Sequence, residues 1–570
     1  MGDDSRPDIS YDYPAALARS PESPAGIRKM ADVYVTMRDG VKLCVDIYLP
    51  QDDGPYPALL SLSPYLKDLQ HKPPHWSHAI ESGATTFFVP KGYIHVIAQG
   101  RGGGLSQGKW QWFDEKERTD GYDLIEWIAA QPWCAGDVGM IGDSYWSWSQ
   151  YAAAQAQPPH LRCLCQCDSS IDFYRDVVYQ GGIYHHAFIS NWVEYHTRQF
   201  AWPGEVDGKE EPMNLTYEAA RHPTDGPWWR ERSPVSGLDR IRTPSLHIAM
   251  QGGVTHIRGQ LRGYTQIQAP KRLLVCPAPG FWSHVRYLTS PALNRQMLRW
   301  FDHWLKGIDT GIMEEPEVAI FDSATRDWRY ESEYPLARTE WVPFYLGEKG
   351  ALGQSAPTGD EPADNYRMPE SFAQIVSGKP VLAYVTPPLD HAVRIAGPIS
   401  FTLHAASSQP DTVWYAYLVD VAPDGKAAPV SSGKLKASFR ALDSARSRPG
   451  QPYHLFEAQE LLEPGRIYDY EIEMMPAFRT IAEGHRLELR IASEDIAYNN
   501  PLRQIDLHLL PWPVENTVHH SMAHPSNLLL PVIPDAPEIE PVQPPVSEID
   551  WPLLPGSWSP NTDGWPLVGD

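Results

Sequence analysis

Ser144 is the residue whose surroundings point most directly to chemistry. It stands in Gly142-Asp143-Ser144-Tyr145-Trp146-Ser147, after the apolar run 138–141 and before 148–156, which reads as a helix. Strand, sharp turn with a serine at its tip, then helix is the layout of a nucleophile elbow. Such a turn exposes the serine oxygen and aims the next backbone N–H groups, that of Tyr145 first, at a developing oxyanion. That is acyl-transfer chemistry. A serine capping an ordinary strand-to-helix turn would leave the same signature, and Trp146 occupies the place of the second glycine of G-x-S-x-G. The surrounding elements decide between the two.

Those elements alternate. Residues 33–37 and 43–49 flank Arg38-Asp39-Gly40, a hairpin turn. Strands are expected at 58–62, 93–98, 138–141 and 161–167, with an amphipathic helix from Asp120 to Ala130. Residues 173–235 break the alternation with Trp, Tyr and His, as an inserted helical cap would. Strands return at 245–250 and 272–276, and a helix runs from Ala292 to Leu305. From about residue 315 short alternating runs such as 399–404 and 486–491, separated by turn residues, read as an all-β sandwich. The expected class is thus α/β, with a mostly parallel sheet, followed by an all-β sandwich. The expected division is an N-terminal extension over 1–30, an α/β domain over 31–172 and 236–314, the cap over 173–235, the sandwich over 315–533 and a proline-rich tail over 534–570.

Charge and composition narrow the partners. The 570 residues carry 48 basic and 71 acidic side chains, a net charge of −23, which argues against nucleic acid or an anionic membrane surface. The N-terminus is polar and no apolar run reaches 18 residues, so the default expectation is a cytoplasmic protein without a membrane span. The six cysteines form no CxxC pair. Cys163, Cys165 and Cys167 alternate along one predicted strand and read as core, not as a metal site. No metal or organic cofactor is expected. The proline-rich tail could embrace a neighbouring subunit, so homo-oligomerisation stays open.

Several phrases, taken in order, resemble the cocaine esterase and X-Pro dipeptidyl-peptidase group of α/β-hydrolase serine hydrolases. They are residues 37–43, Ser63-Pro64-Tyr65, 101–106, Gln131-Pro132-Trp133, the elbow, His222-Pro223 with Trp228, Gly397-Pro398, 417–421 and 483–487. The resemblance runs from about 30 to 533. It implies an α/β-hydrolase domain with an inserted helical cap and a C-terminal jelly-roll sandwich. It also implies site residues. Ser144 is the nucleophile, although Ser147 replaces the family's last elbow glycine. Tyr65 matches the oxyanion-hole tyrosine, with the Tyr145 N–H as second donor. Gly280-Phe281-Trp282-Ser283-His284 resembles the family's Gly-Pro-Trp-x-His and makes His284 the general base.

The triad acid departs from the family. Where Gly-Trp-Tyr-Asp is expected, the chain has Gly253-Val254-Thr255-His256, and no Asp or Glu occurs between Ile241 and Phe301. Two readings stay open. The acid has moved to Asp168, at the end of the strand after the elbow helix; or none exists, and His256 meets His284 or substrate. The expected function is a serine hydrolase cleaving a small-molecule ester or amide through an acyl-enzyme. Acyl transfer to another acceptor or another reaction reusing the oxyanion hole, and a non-catalytic binding protein on the same scaffold, are the alternatives. Trp146, His256, Tyr174, Trp192 and Trp228 are expected to line the pocket.

Overall fold

The Arg38-Asp39-Gly40 turn joins β1 (Arg28–Thr36) to an antiparallel β2 (Lys42–Leu49), and the Gly40 N–H donates to Met37 O at 2.8 Å. The structure, a computed structural model, describes residues 26–69, 81–190, 192–193, 206–251, 255–277, 290–367, 382–493, 514–537 and 539–541. Most of the expected N-terminal extension and tail, part of the cap, and His284 lie outside these.

After the hairpin come β3 (Tyr56–Ser63), β4 (Ile94–Gln99), β5 (Cys134–Asp143), β6 (Leu161–Cys167), β7 (Ser245–Met250), β8 (Lys271–Cys276), β9 (Val318–Phe321) and β10 (Trp328–Glu331). They form one sheet in the order β1-β2-β4-β3-β5-β6-β7-β8-β9-β10, with every neighbouring pair from β4 to β9 parallel. Helices cover both faces, so β3, β4 and β7 are apolar almost throughout and buried almost end to end. One face takes α1 (Glu115–Ala129) and α2 (Tyr145–Gln155), through Leu124, Ile125, Ile128 and Ala153. The opposite face takes α4 (Pro291–Lys306), whose Leu293, Met297 and Trp300 pack on Cys163, Cys165 and Cys167. The three cysteines share one face, as their alternation requires. α3 (Ile257–Gln266) follows β7.

This sheet runs past the expected boundary at residue 314. Val318-Ala319-Ile320-Phe321 is fully buried and pairs parallel to β8, and β10 folds back antiparallel on β9. Both strands therefore belong to the first layer by hydrogen bonding, though they follow the helix that seemed to close it.

Between β6 and β7 the described chain makes short helical segments, among them Phe173–Val178, Leu215–Arg221 and Pro227–Arg232. The remainder is all-β. Eleven strands form a second sheet in which Asn527–Val532 pairs with both Glu340–Gly347 and Val393–Ser407. Among the described residues no helix is long and apolar enough to cross a membrane.

Candidate active site

The elbow is built by backbone strain. Ser144 sits at φ 56°, ψ −120°, a conformation that non-glycine residues adopt only when their surroundings impose it. Gly142, at φ 148°, must lack a side chain, because a Cβ there would lie 2.3 Å from that of Trp146. Trp146 thus occupies the expected second glycine's place, and Gly142 provides the room. The turn is pinned by Ser144 N–H donating to Cys167 O at 3.2 Å and by Asp143 N–H donating to Glu81 O at 2.8 Å. Ser144 O then accepts from Trp148 N–H at 2.9 Å, which starts α2. The N–H groups of Tyr145 and Trp146 in its first turn have no carbonyl four residues back within the helix. They supply the positive end of the helix beside the serine. Burial, with Asp168 and Glu81 alongside, pushes the Asp143 carboxyl well above its usual range.

Tyr65 stands next to this turn. Its ring meets Tyr145 edge-on at 5.7 Å and Trp146 at 6.3 Å, and its hydroxyl accepts from Trp192 Nε1 at 2.6 Å. Burial pushes the Tyr65 phenol up, so it stays protonated and able to donate. The preceding proline fits because Gly103 lies under it: a Cβ there would come within 2.3 Å of Pro64 O. Arg101, from the same glycine-rich phrase, binds Asp120 at 2.6 Å and Asp39 at 2.9 Å. These phrases hold the Tyr65 loop in place, Gly100 N–H donating to Ser63 O at 2.6 Å.

Sequence reasoning missed Glu117. Its carboxylate accepts from the Tyr145 hydroxyl at 2.7 Å and from Phe113 N–H at 2.6 Å. Burial raises its pKa to about 7. It anchors the Tyr145 side chain in the first turn of α2. The expected helix began at Asp120, whereas α1 begins at Glu115 and takes Glu117 into its first turn; the contact with a residue 28 positions on was not visible in the sequence.

Asp168 lies at φ 47° directly after β6, and its N–H donates to Ile248 O at 2.8 Å across to β7. Its Oδ2 is 3.1 Å from His256 Nδ1. Thr255 Oγ1 approaches the same ring nitrogen at 3.3 Å. The two loops are laced by further bonds: Ser170 Oγ donates to Thr255 O at 2.6 Å, and Ser169 N–H donates to Gln260 Oε1 at 2.6 Å. The His256 ring packs 5.7 Å from Trp148, one turn along α2 from Ser144.

The structure therefore gathers Ser144, Tyr65, Tyr145, Trp146, Trp192, Asp168 and His256 around one turn. Tyr174 and Trp228 sit further out. Tyr174 stacks on Tyr179 at 5.0 Å, and Trp228 stacks on His222 at 4.9 Å under the Arg232 guanidinium. Trp229 touches both, and Trp112 connects Trp229 to Trp192. A cleft lies elsewhere, on the seam with the second sheet, where Arg175, Arg258, Arg262, Lys434 and Glu473 line it.

A strained serine after the fifth strand of this sheet order, with helices on both faces, defines an α/β hydrolase. Residues 39–286 match the X-Pro dipeptidyl-peptidase (S15 family), and residues 310–529 match the X-Pro dipeptidyl-peptidase C-terminal non-catalytic domain. The cocaine esterase of Rhodococcus sp. is 28% identical, over 88% of this chain and 98% of that protein. A CocE/NonD family hydrolase from Staphylococcus aureus has the same fold, with a TM-score of 0.80 at 24% identity over 90% of this chain and 98% of the other. A solved α-amino acid ester hydrolase aligns with a TM-score of 0.70 at 20% identity, over 93% of this chain and all of the other. The chain belongs to the cocaine esterase and X-Pro dipeptidyl-peptidase family of serine hydrolases.

Proposed function

We propose that the protein cleaves an ester or amide of a small molecule through an acyl-enzyme on Ser144. The observation that carries this is the strained Ser144 backbone, which holds the hydroxyl at the mouth of α2 with Tyr65 beside it. Ser144 attacks the carbonyl. The Tyr65 hydroxyl and the Tyr145 N–H receive the developing oxyanion. His284, assigned from its sequence phrase, takes the serine proton and returns it to the leaving group. Asp168 is the carboxylate of the site. The buried aromatic surfaces of Trp146 and Trp192 favour an apolar acyl or aryl group, in keeping with the cocaine esterase likeness. We read the segments between β6 and β7 as a cap and the closed second sheet as a jelly roll, together walling the pocket.

A fluorophosphonate probe tests this. Stoichiometric labelling that disappears in Ser144→Ala and in His284→Ala supports the reading. Well-folded protein that takes no label overturns it. Adding an alcohol or amine during turnover separates hydrolysis from acyl transfer by the products formed.

A further inference from the structure

The cleft on the seam between the two sheets is shaped as a binding site, and no residue lining it takes a step in the reaction proposed for Ser144. Seams between domains are where small-molecule sites tend to form. The floor of this one is a face of the second sheet. Tyr415 lies opposite Lys434 and Tyr417 opposite Ser432 in neighbouring strands, so these side chains share that face. Gly433 pairs with Met474 in the next strand, which brings Glu473 onto the same face beside Lys434. The Tyr415 and Tyr417 rings are parallel to within 7° at 6.4 Å and form a flat apolar rail. The roof comes from the first half of the chain, where α3 supplies Arg258 and Arg262. Gly181 clamps the roof to the floor. It sits at φ 62°, and a Cβ there would lie 2.1 Å from Lys434 O.

The two roof guanidiniums are not equally used. Arg258 spends all three of its nitrogens, Nε on Asp176 at 2.8 Å, Nη1 on Glu473 at 3.0 Å and Nη2 on Arg175 O. Arg262 spends Nη2 alone, on Glu473 Oε1 at 2.6 Å, and its Nε and Nη1 have no hydrogen-bond partner among the described residues. The edge that Nη2 does not turn to Glu473 therefore still presents two N–H groups side by side. That is the fork which takes a carboxylate through two parallel bonds. Glu473 also sets the charge that fits. It already stands at Arg262, so a singly charged group is accommodated with Lys434 on the floor, whereas a dianion would be repelled. We propose that this cleft binds a small aromatic monocarboxylate, with its carboxylate on Arg262 and Lys434 and its ring along Tyr415 and Tyr417. The bound molecule touches both halves of the chain and stabilises their junction by mass action. The proposal does not rest on the acyl-enzyme reading.

Equilibrium dialysis of salicylate against the full chain tests this, with salicylamide (the same ring, uncharged) and acetate (the charge without the ring) as comparators. Salicylate should bind at least ~10-fold more tightly than salicylamide, the fold-change expected of hydrogen bonds to a charged group. Acetate should also bind more weakly than salicylate. Arg262→Gln and, separately, Ser432→Glu should each weaken salicylate by ~10-fold or more. Ser432→Glu leaves every bond to Glu473 in place and only adds a like charge to the floor, so it serves as the test should Arg262→Gln fail to fold. Tyr415→Leu should weaken salicylate roughly two- to tenfold, the worth of one aromatic contact. Tyr65→Phe, beside Ser144, should leave salicylate binding unchanged. Salicylate held equally by the wild type and by folded Ser432→Glu, or lost in Tyr65→Phe, overturns the proposal. So does a wild-type protein that binds salicylate no better than salicylamide. None of these outcomes touches the acyl-enzyme reading, which the fluorophosphonate label tests by itself.

Discussion

Two acids hold the start of α3, and they do it differently. Glu473, from the second sheet, takes Arg258 at 3.0 Å and Arg262 at 2.6 Å, while Arg258 also reaches Asp176 at 2.8 Å. Those arginines hold the Glu473 carboxyl below its ordinary pKa despite burial. Asp168, from the first sheet, takes an imidazole and leaves that ring's second nitrogen unspent. The first pair is closed, with each charge met by opposite charge. The second is open by one hydrogen bond. The closed set ties α3 to the second sheet by charge, whereas the open pair ties the loop after β6 to the loop before α3 by a single side-chain contact.

The comparison breaks most sharply at Glu473. Glu473→Ala leaves Arg262 without its carboxylate and Arg258 with Asp176 alone, and should destabilise the protein by about 3 kcal/mol. Asp168→Asn should instead leave the urea midpoint nearly in place and fall on catalysis. Equal effects of both variants on the midpoint would erase the distinction. The Glu473 contribution is full above the ordinary carboxyl pKa of 4.5 and fades as pH drops through its lowered native value.

Next in size, Tyr65→Phe removes the hydroxyl proposed as an oxyanion donor and should lower kcat by ~10²–10³ with the melting temperature little changed. A kcat within threefold of wild type would remove Tyr65 from the oxyanion hole.

Glu117 extends the comparison to an acid with no cation at its side. Its native pKa of about 7 exceeds the ordinary 4.5, so the unfolded chain ionises first and the native state loses stability as pH rises from about 4.5 to about 7. The loss is on the order of 3 kcal/mol at most, at about 1.4 kcal/mol per pH unit. Melting temperatures of wild type and Glu117→Gln, measured from pH 5 to 7.5, should therefore move in favour of the variant as pH rises. A constant difference would contradict the raised value.

The smallest effect is expected at Trp192. Trp192→Phe deletes the indole N–H on the Tyr65 hydroxyl and should cost kcat/KM roughly three- to tenfold, the worth of one neutral hydrogen bond of about 0.5–1.5 kcal/mol. A drop as large as that of Tyr65→Phe would mean that the indole holds the phenol in place outright.

The fold was legible in the sequence because its signals are local. The Asp-Gly hairpin, the apolar runs of β3 to β8 and the serine between strand and helix all announce themselves within ten residues. The first sheet's extension was not legible, since Val318–Phe321 is four residues long and shows its allegiance only by pairing with β8. The site was legible in its parts. Asp168 stood out as an acid at a strand end, and His256 as an imidazole in an acid's place, but nothing in either stretch said that they face each other. Their meeting depends on β6 lying beside β7 and on the left-handed backbone of Asp168, which turns its carboxylate toward the α3 loop. Tyr65 with Trp192, and Tyr145 with Glu117, are joined the same way, across 127 and 28 residues. Tyr174 and Trp228 were named from aromatic richness, and they join an aromatic layer with Tyr179, His222 and Trp229.

The last described strand of the second sheet has a consequence of its own. Asn527–Val532 lies between Glu340–Gly347 and Val393–Ser407 and hydrogen-bonds to both, so it works as a zip fastener on the barrel-like wall. Shortening the chain ahead of residue 527 would unfasten two long strands at once and leave each with a row of bare amides and carbonyls. Such rims recruit other chains. A trimmed protein of this kind is expected to precipitate or self-associate well before its catalytic half has lost its shape, and light scattering during expression trials would register that first.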